Sequence, residues 1–470
     1  MNATIINTEN DLKNRIEQGW EQNSELFLTG SSHVDDMKRE AMSVFQNLGF
    51  PNKKWEKWRE TDLRASLSNK YKFFHQEPDK NFDPNKVFTC DVHGLDLPKL
   101  FKFNGYFVSN GFDMQFPQGV IICSLKQAIE EHSQLIADNF NKSENVSDSP
   151  FYNLNTALFQ DGLFIYIPDN IDFKPTLQLI DLVIGNEGMM INSRNLIVLG
   201  KNSSLSMIYC EESVNMLPGF INSVSEIVVG ENSTVDLCRI LNKDDETTVV
   251  SSIYVNQSRD SNFKTSSFCF NGGTIRNEVH TDLNGENANT DISGLYIMGK
   301  SHHVDNQVVV NHNKPHCTSN QLYKGVLDDQ ASGVFNGYIN VKKNAYQTNG
   351  MQTNRNILLS EKAKMHTRPF LEIYNDDVKC SHGATVGQLD PMAMFYLRTR
   401  GISPENANIL LLYAFVVEVV NKIAEPTLFN QIDDMVKKRL RGELAMCNQC
   451  VLNCSKHENE SKLLQFLSQM

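Results

Sequence analysis

What the sequence most lacks is a long apolar run. The longest, residues 409–420, is interrupted by Glu418 and falls well short of the roughly 20 residues that a bilayer-spanning helix needs. It reads as a buried helix. Excess positive charge is absent too: 44 Lys and Arg stand against 56 Asp and Glu, for a formal net charge of -12. That balance disfavours nucleic acid or an anionic membrane as the main partner. The first eight residues show neither the charged nor the apolar region of a secretory signal. The 10 cysteines of the 470 residues are mostly scattered singly, too sparse for the disulfide framework of a small secreted domain. They read as reduced thiols in a cytoplasmic protein.

At this length the chain exceeds a single core and fits either several domains or one long repetitive body. Its start is helical in character. Ser32 and Asp35 fit a capping box, Val34, Met37, Ala41, Phe45 and Leu48 follow at helical spacing, and Gly49 with Pro51 gives a stop. Trp55 and Trp58 stand three apart, on one helical face, and read as aromatic anchors that dock an N-terminal region. Residues 142–150 are polar and read as a linker.

The pattern then changes to short apolar strands punctuated by small polar residues. Residues 195–205 recur thirty positions later as 225–235, with Gly200, Asn202 and Ser203 matched by Gly230, Asn232 and Ser233. Residues 165–171 form a weaker precursor. An apolar strand followed by a small-polar turn, repeated, suits stacked coils that bury their inner faces only against one another. The expected fold is mainly β: a parallel β-helix, or solenoid, over 151–386, between an N-terminal helical or mixed region (1–150) and a C-terminal helical region (387–470). In the latter, Asp390-Pro391 and Ser403-Pro404 begin helices, the second with an apolar body over 407–423, and a third covers about 427–446.

Several motifs invite chemistry. Residues 294–301 match the letters of a phosphate-binding loop, but bulky Leu295, Tyr296, Ile297 and Met298 fill the place of the flexible loop, and strand-like sequence follows where a helix is required. His312, His316 and Cys317, with His302 and His303 nearby, are potential ligands at a coil corner that need not converge. Asp328, Asp329, Asp376 and Asp377 raise the alternative of a β-helix carbohydrate-active enzyme, a lyase or hydrolase, with paired carboxylates; solvated turns are the simpler reading. The tail carries Cys447, Cys450, Cys454 and His457, four ligands of metal-binding type in crowded spacing. Finally, Cys380 and His382 stand two apart in a strand-like segment, which places both on one face. A thiolate and an imidazole suit iron, zinc or copper, yet two ligands make an incomplete shell, better fitted to a shared site than to a closed structural one.

The order of residues from 312 to 415 is more specific than any of these short patterns. Gln321, Lys324-Gly325-Val326-Leu327, Gly333-Val334-Phe335-Asn336-Gly337, Asn356-Ile357-Leu358-Leu359-Ser360, Pro369, Leu371-Glu372-Ile373-Tyr374, residues 376–387 and Phe395-Tyr396-Leu397-Arg398-Thr399-Arg400-Gly401-Ile402 together resemble the SufB/SufD family of iron-sulfur cluster assembly scaffolds. Residues 55–61 are similar to the family's tryptophan segment, with weaker support between 64 and 190. The wording around Cys380 and His382 resembles the SufD branch. The resemblance implies a noncatalytic subunit whose right-handed β-helix pairs with a SufB-like paralogue and whose C-terminal helical region holds the ATPase SufC. The nucleotide would sit on that ATPase, with none on this chain. It further implies that His382 lies at the interface with the paralogue, joining one of its cysteines around a transient, shared iron-sulfur cluster, with Cys380 a weaker candidate. A homodimer in isolation is left open, and the 447–457 tail departs from the family pattern.

Overall fold

The computed structural model describes residues 8–78, 97–108, 116–143, 146–185, 187–213 and 218–442. Strands alternate along the chain between two facing sheets, one of 10 strands and one of 9, and beyond the first coil neighbours within each sheet are two strands apart in sequence. This is a parallel β-solenoid. The thirty-residue repeat is its coil: Asn195 lies in register with Ser225 and Leu199 with Val229.

The corners explain why small polar residues recur. Asn170, Asn202, Asn232, Asp260 and Asn287 all have φ between 53° and 63°, a left-handed conformation that Asn and Asp tolerate better than other non-glycine residues. Their side chains also bond along the stack: Asn232 Nδ2 donates to Asn202 Oδ1 at 2.9 Å, and Asn202 Nδ2 to Asn170 Oδ1 at 2.9 Å. One residue type thus turns the chain and ties each coil to the next.

Inside, the two sheets enclose one apolar cluster running from Leu100 to Ala363. Both outer faces are also largely covered, so most strands are buried on both sides and read as near-continuous apolar runs. On the nine-stranded sheet, Met190, Phe220 and Val250 pack with Phe45, Trp58 and Phe151 of the N-terminal region. On the ten-stranded sheet, Ile240, Phe268 and Leu295 meet Val416, Val420, Ile432 and Val436 of the helices Pro404–Val420 and Pro426–Leu440.

Some local expectations need correcting. The Ser32–Leu48 helix has Ser31 as its N-cap, without a side-chain cap bond. Asp35 reaches back instead and accepts from the Thr29 and Gly30 amides at 2.7 and 3.2 Å. The polar stretch at 142–150 leads straight into a helix, Pro150–Leu158, whose every residue is buried; Ser149 caps it, so its polarity marks a helix start. Strands before residue 151 already belong to the sheets: Lys99–Phe103 pairs parallel with Leu177–Val183, and Ile121–Ser124 pairs antiparallel with Leu163–Ile167. The helix at 404–420 is not buried all round, because Leu410 is 48% exposed. No described helix is long and apolar enough to cross a membrane.

The two ends of the solenoid differ. At the first coil, Tyr106–Val108 and Ile121–Ser124 close the sheets with antiparallel pairings. At the last, Lys364–Ile373 and Val378–Gly387 are edge strands, with no further strand beyond them among the described residues.

Candidate functional site at the open end of the solenoid

The Val378–Gly387 strand carries both Cys380 and His382 on the uncovered edge. It pairs on one side with Thr348–Leu358, with Gly350 opposite Cys380 and Gln352 opposite His382. The two side chains leave the strand on the same face, and that face is the inner one. Cys380 packs against the cluster of Ile339, Val341 and Ala345, and a Cβ on Gly350 would lie 3.2 Å from its Sγ. Cys380 is half-buried; His382, past the edge of that packing, is exposed. Burial pushes the Cys380 thiol up, against a hydrogen bond from the Gly350 backbone that pulls it down. The thiol form is therefore favoured over the thiolate.

Among the described residues no three His, Cys, Asp or Glu side chains converge as a metal shell. Cys380 and His382 are thus two soft donors on one face of an edge strand, open to whatever abuts the last coil. Their surroundings are unusually apolar for a surface. Tyr374 is 64% exposed, and Met351, Ile373 and Val386 on the last two coils are exposed as well. The adjacent Pro391–Thr399 helix, capped by Asp390, buries none of its residues and exposes Met392, Phe395 and Tyr396. A patch of this kind marks an interaction surface.

The other candidates are placed elsewhere. Gly294 sits inside the Asn289–Met298 strand, where a Cβ would collide with the Tyr323 ring; it is there for packing. Lys300 pairs with Asp245, and a strand, His303–His312, follows, so the phosphate-loop pattern is a coincidence of letters. His312 is buried against Ser319 Oγ at 2.9 Å, His316 faces Glu286 at 3.6 Å, and Cys317 Sγ lies 3.3 Å from the Gly285 carbonyl. They share a corner and not a centre. Asp329 accepts the Lys300 amide at 2.7 Å in such a corner, and the Asp377 carbonyl accepts the Gln347 amide at 2.6 Å. Cys447, Cys450, Cys454 and His457 lie outside the described residues.

Trp58 docks the N-terminal region on the sheet as the anchor reading expects, but two features go beyond what sequence reasoning found. The tryptophan segment is a clamp. Trp58 lies under the Arg276 guanidinium, 3.7 Å from its ring centroid, Thr61 Oγ1 donates to Asp305 at 2.5 Å, and Glu60 accepts from Arg368 of the edge strand at 2.6 Å. The partners lie more than two hundred residues away, so no local pattern announces them. The second is Gln352, one coil before His382 and buried beneath it; the coil period carries that signal.

Residues 12–179 match the SufBD protein N-terminal region, and residues 182–415 match the family described as SUF system FeS cluster assembly, SufBD core domain. The chain is 27% identical over 431 residues to an iron-sulfur cluster assembly SufBD family protein of Synechocystis, covering 90% of this chain and 92% of that one. It is 28% identical over 423 residues to the iron-sulfur cluster assembly protein SufD of Escherichia coli, with 89% and 96% covered. With SufD of Bacillus subtilis it shares 29% over 332 residues, 69% and 75% of the two chains. A solenoid with a Cys-His edge strand and these matches end to end place the chain in the SufBD family of iron-sulfur cluster assembly proteins.

Proposed function

We propose that the chain is the SufD-type, noncatalytic scaffold subunit of a SufBCD-like assembly. In this reading the open last coil abuts a SufB-like paralogue, continuing both sheets across the interface, and a SufC-like ATPase docks on the C-terminal helices. The observation that carries it is the exposed His382 and half-buried Cys380 on an edge strand whose coil also exposes Ile373, Tyr374 and Val386. Edge strands of this length are normally protected, and a paralogous coil would supply the missing strands.

An iron-sulfur cluster is the cargo of such a scaffold. His382 would give one ligand and a cysteine of the paralogue another, with Cys380 in reserve. A shell completed only where two subunits meet can be opened again, which lets a cluster be built and then released. The neighbouring helix is well placed to transmit motion. Lys324 of Thr318–Leu327 reaches the Phe415 carbonyl at 2.7 Å and Glu418 at 2.5 Å, and its strand lies two away from Val378–Gly387. The six described cysteines are free, in keeping with a reducing, cytoplasmic setting. The 447–457 quartet is proposed only as an accessory metal site, to be tested by metal content after Cys447, Cys450 and Cys454 are changed to Ser.

Coexpression with SufB-like and SufC-like subunits tests the assembly. A tagged chain should bring both down; recovery of the tagged chain alone, folded, contradicts the reading.

A further inference from the structure

Gln321, Gln352 and His382 occupy one register row on three successive strands. Both glutamines are no more than 2% exposed. Gln352 Nε2 donates to Gln321 Oε1 at 2.7 Å. Across the lumen, a Cβ on Gly337 would run into the Gln352 amide, so that glycine leaves the space the amide fills. Gln352 Oε1 is buried and has no hydrogen-bond partner. A primary amide holds donor and acceptor on opposite arms. Its nitrogen is committed to the coil below, which leaves its carbonyl for a donor from the coil above, where the residue in register is His382.

We infer that Gln352 is the positioning residue of His382: its carbonyl takes one imidazole N–H, fixing the ring so that the other nitrogen presents its lone pair at the open coil end. The inference rests on reading His382 as a ligand. A buried carbonyl without a donor is costly, and the residue in register with it on the next strand, His382, carries a ring N–H. Metal-binding histidines almost always donate their second N–H to a carbonyl or carboxylate, which fixes tautomer and orientation. The row Gln321, Gln352, His382 has the parts for this arrangement. Exposure of the ring at rest matches a contact that tightens when the interface forms.

The test uses the full chain labelled with nitrogen-15 histidine, with the His382 signals identified by their loss in His382→Ala. In the unmodified protein bound to its SufB-like partner, His382 should occupy a single tautomer with a protected ring N–H. A fast-exchanging ring with mixed tautomers overturns the inference without any variant at Gln352. Gln352→Met, near in volume but lacking the carbonyl, should speed N–H exchange roughly tenfold or more, while Gln352→Glu, which keeps an acceptor, should preserve protection. Unchanged exchange in a folded Gln352→Met protein also overturns it. Should His382→Ala leave cluster yield intact, the ligand reading fails, while the exchange data still judge Gln352.

Discussion

Arg276 shows how this chain handles charge that it buries. Its guanidinium pairs with Glu278 at 2.6 Å and with Asp305, donates to the Lys57 carbonyl at 2.9 Å and covers Trp58. Burial pushes the Glu278 carboxyl up, but Arg276 and His280 together hold it far below the usual range. Arg276→Met would strip both Asp305 and Glu278 of the guanidinium that pairs with them. Breaking such a pair costs about 3–5 kcal/mol, and chemical denaturation should show a loss of that size. His312 makes a second prediction at the same scale. Burial alone pushes its imidazole down to about 4, from an ordinary value near 6.5. The folded state therefore keeps it neutral while the unfolded chain takes up a proton. Its contribution is fully present above pH ~6.5 and is lost as pH falls toward ~4, about 3 kcal/mol in all. His312→Gln should flatten the stability profile over that window, as read by denaturant titrations at each pH; an unchanged slope would count against a buried neutral His312.

The corner ladder and the caps of the first two C-terminal helices are the elements where sequence and structure agree most closely. Asn232→Ala removes both the residue suited to positive φ and a rung of the ladder, and should cost about 1–2 kcal/mol, with Asn232→Gly less harmful; thermal melts of the two variants give the comparison. Coils were legible from the 195–205 and 225–235 repeat because one corner geometry selects one set of residues. Ser403 and Asp390 were legible as caps for a similar reason, since helix starts leave amides that a short polar side chain must meet. The earliest sheet strands were not, because their pairing partners lie tens of residues away and their own pattern is brief. The exposed side of the 404–420 helix was hidden by composition: Leu410 is as apolar as buried Leu412, and only the position of the sheet distinguishes them. At the site, the shared face of Cys380 and His382 followed from strand period alone, whereas the clamp from Glu60 to Arg368 depends on a fold that no local window contains.

For the molecule as a whole, the asymmetry of the solenoid organises everything else. One end is closed by antiparallel strands, the flanks are covered by helices, and the other end is left as two bare edges with a Cys-His pair between exposed apolar side chains. Tyr374→Lys or Val386→Lys should leave the isolated chain folded, since both are solvent-exposed, yet release it from the SufB-like partner; size-exclusion chromatography of the coexpressed subunits distinguishes this from simple unfolding. The most direct test of the central claim, that the open end supplies a ligand to a cluster shared between subunits, is iron and sulfide content of the anaerobically purified three-subunit complex with His382→Ala. The account predicts an intact complex whose iron and sulfide fall roughly tenfold or more. An intact complex with undiminished iron and sulfide would contradict it.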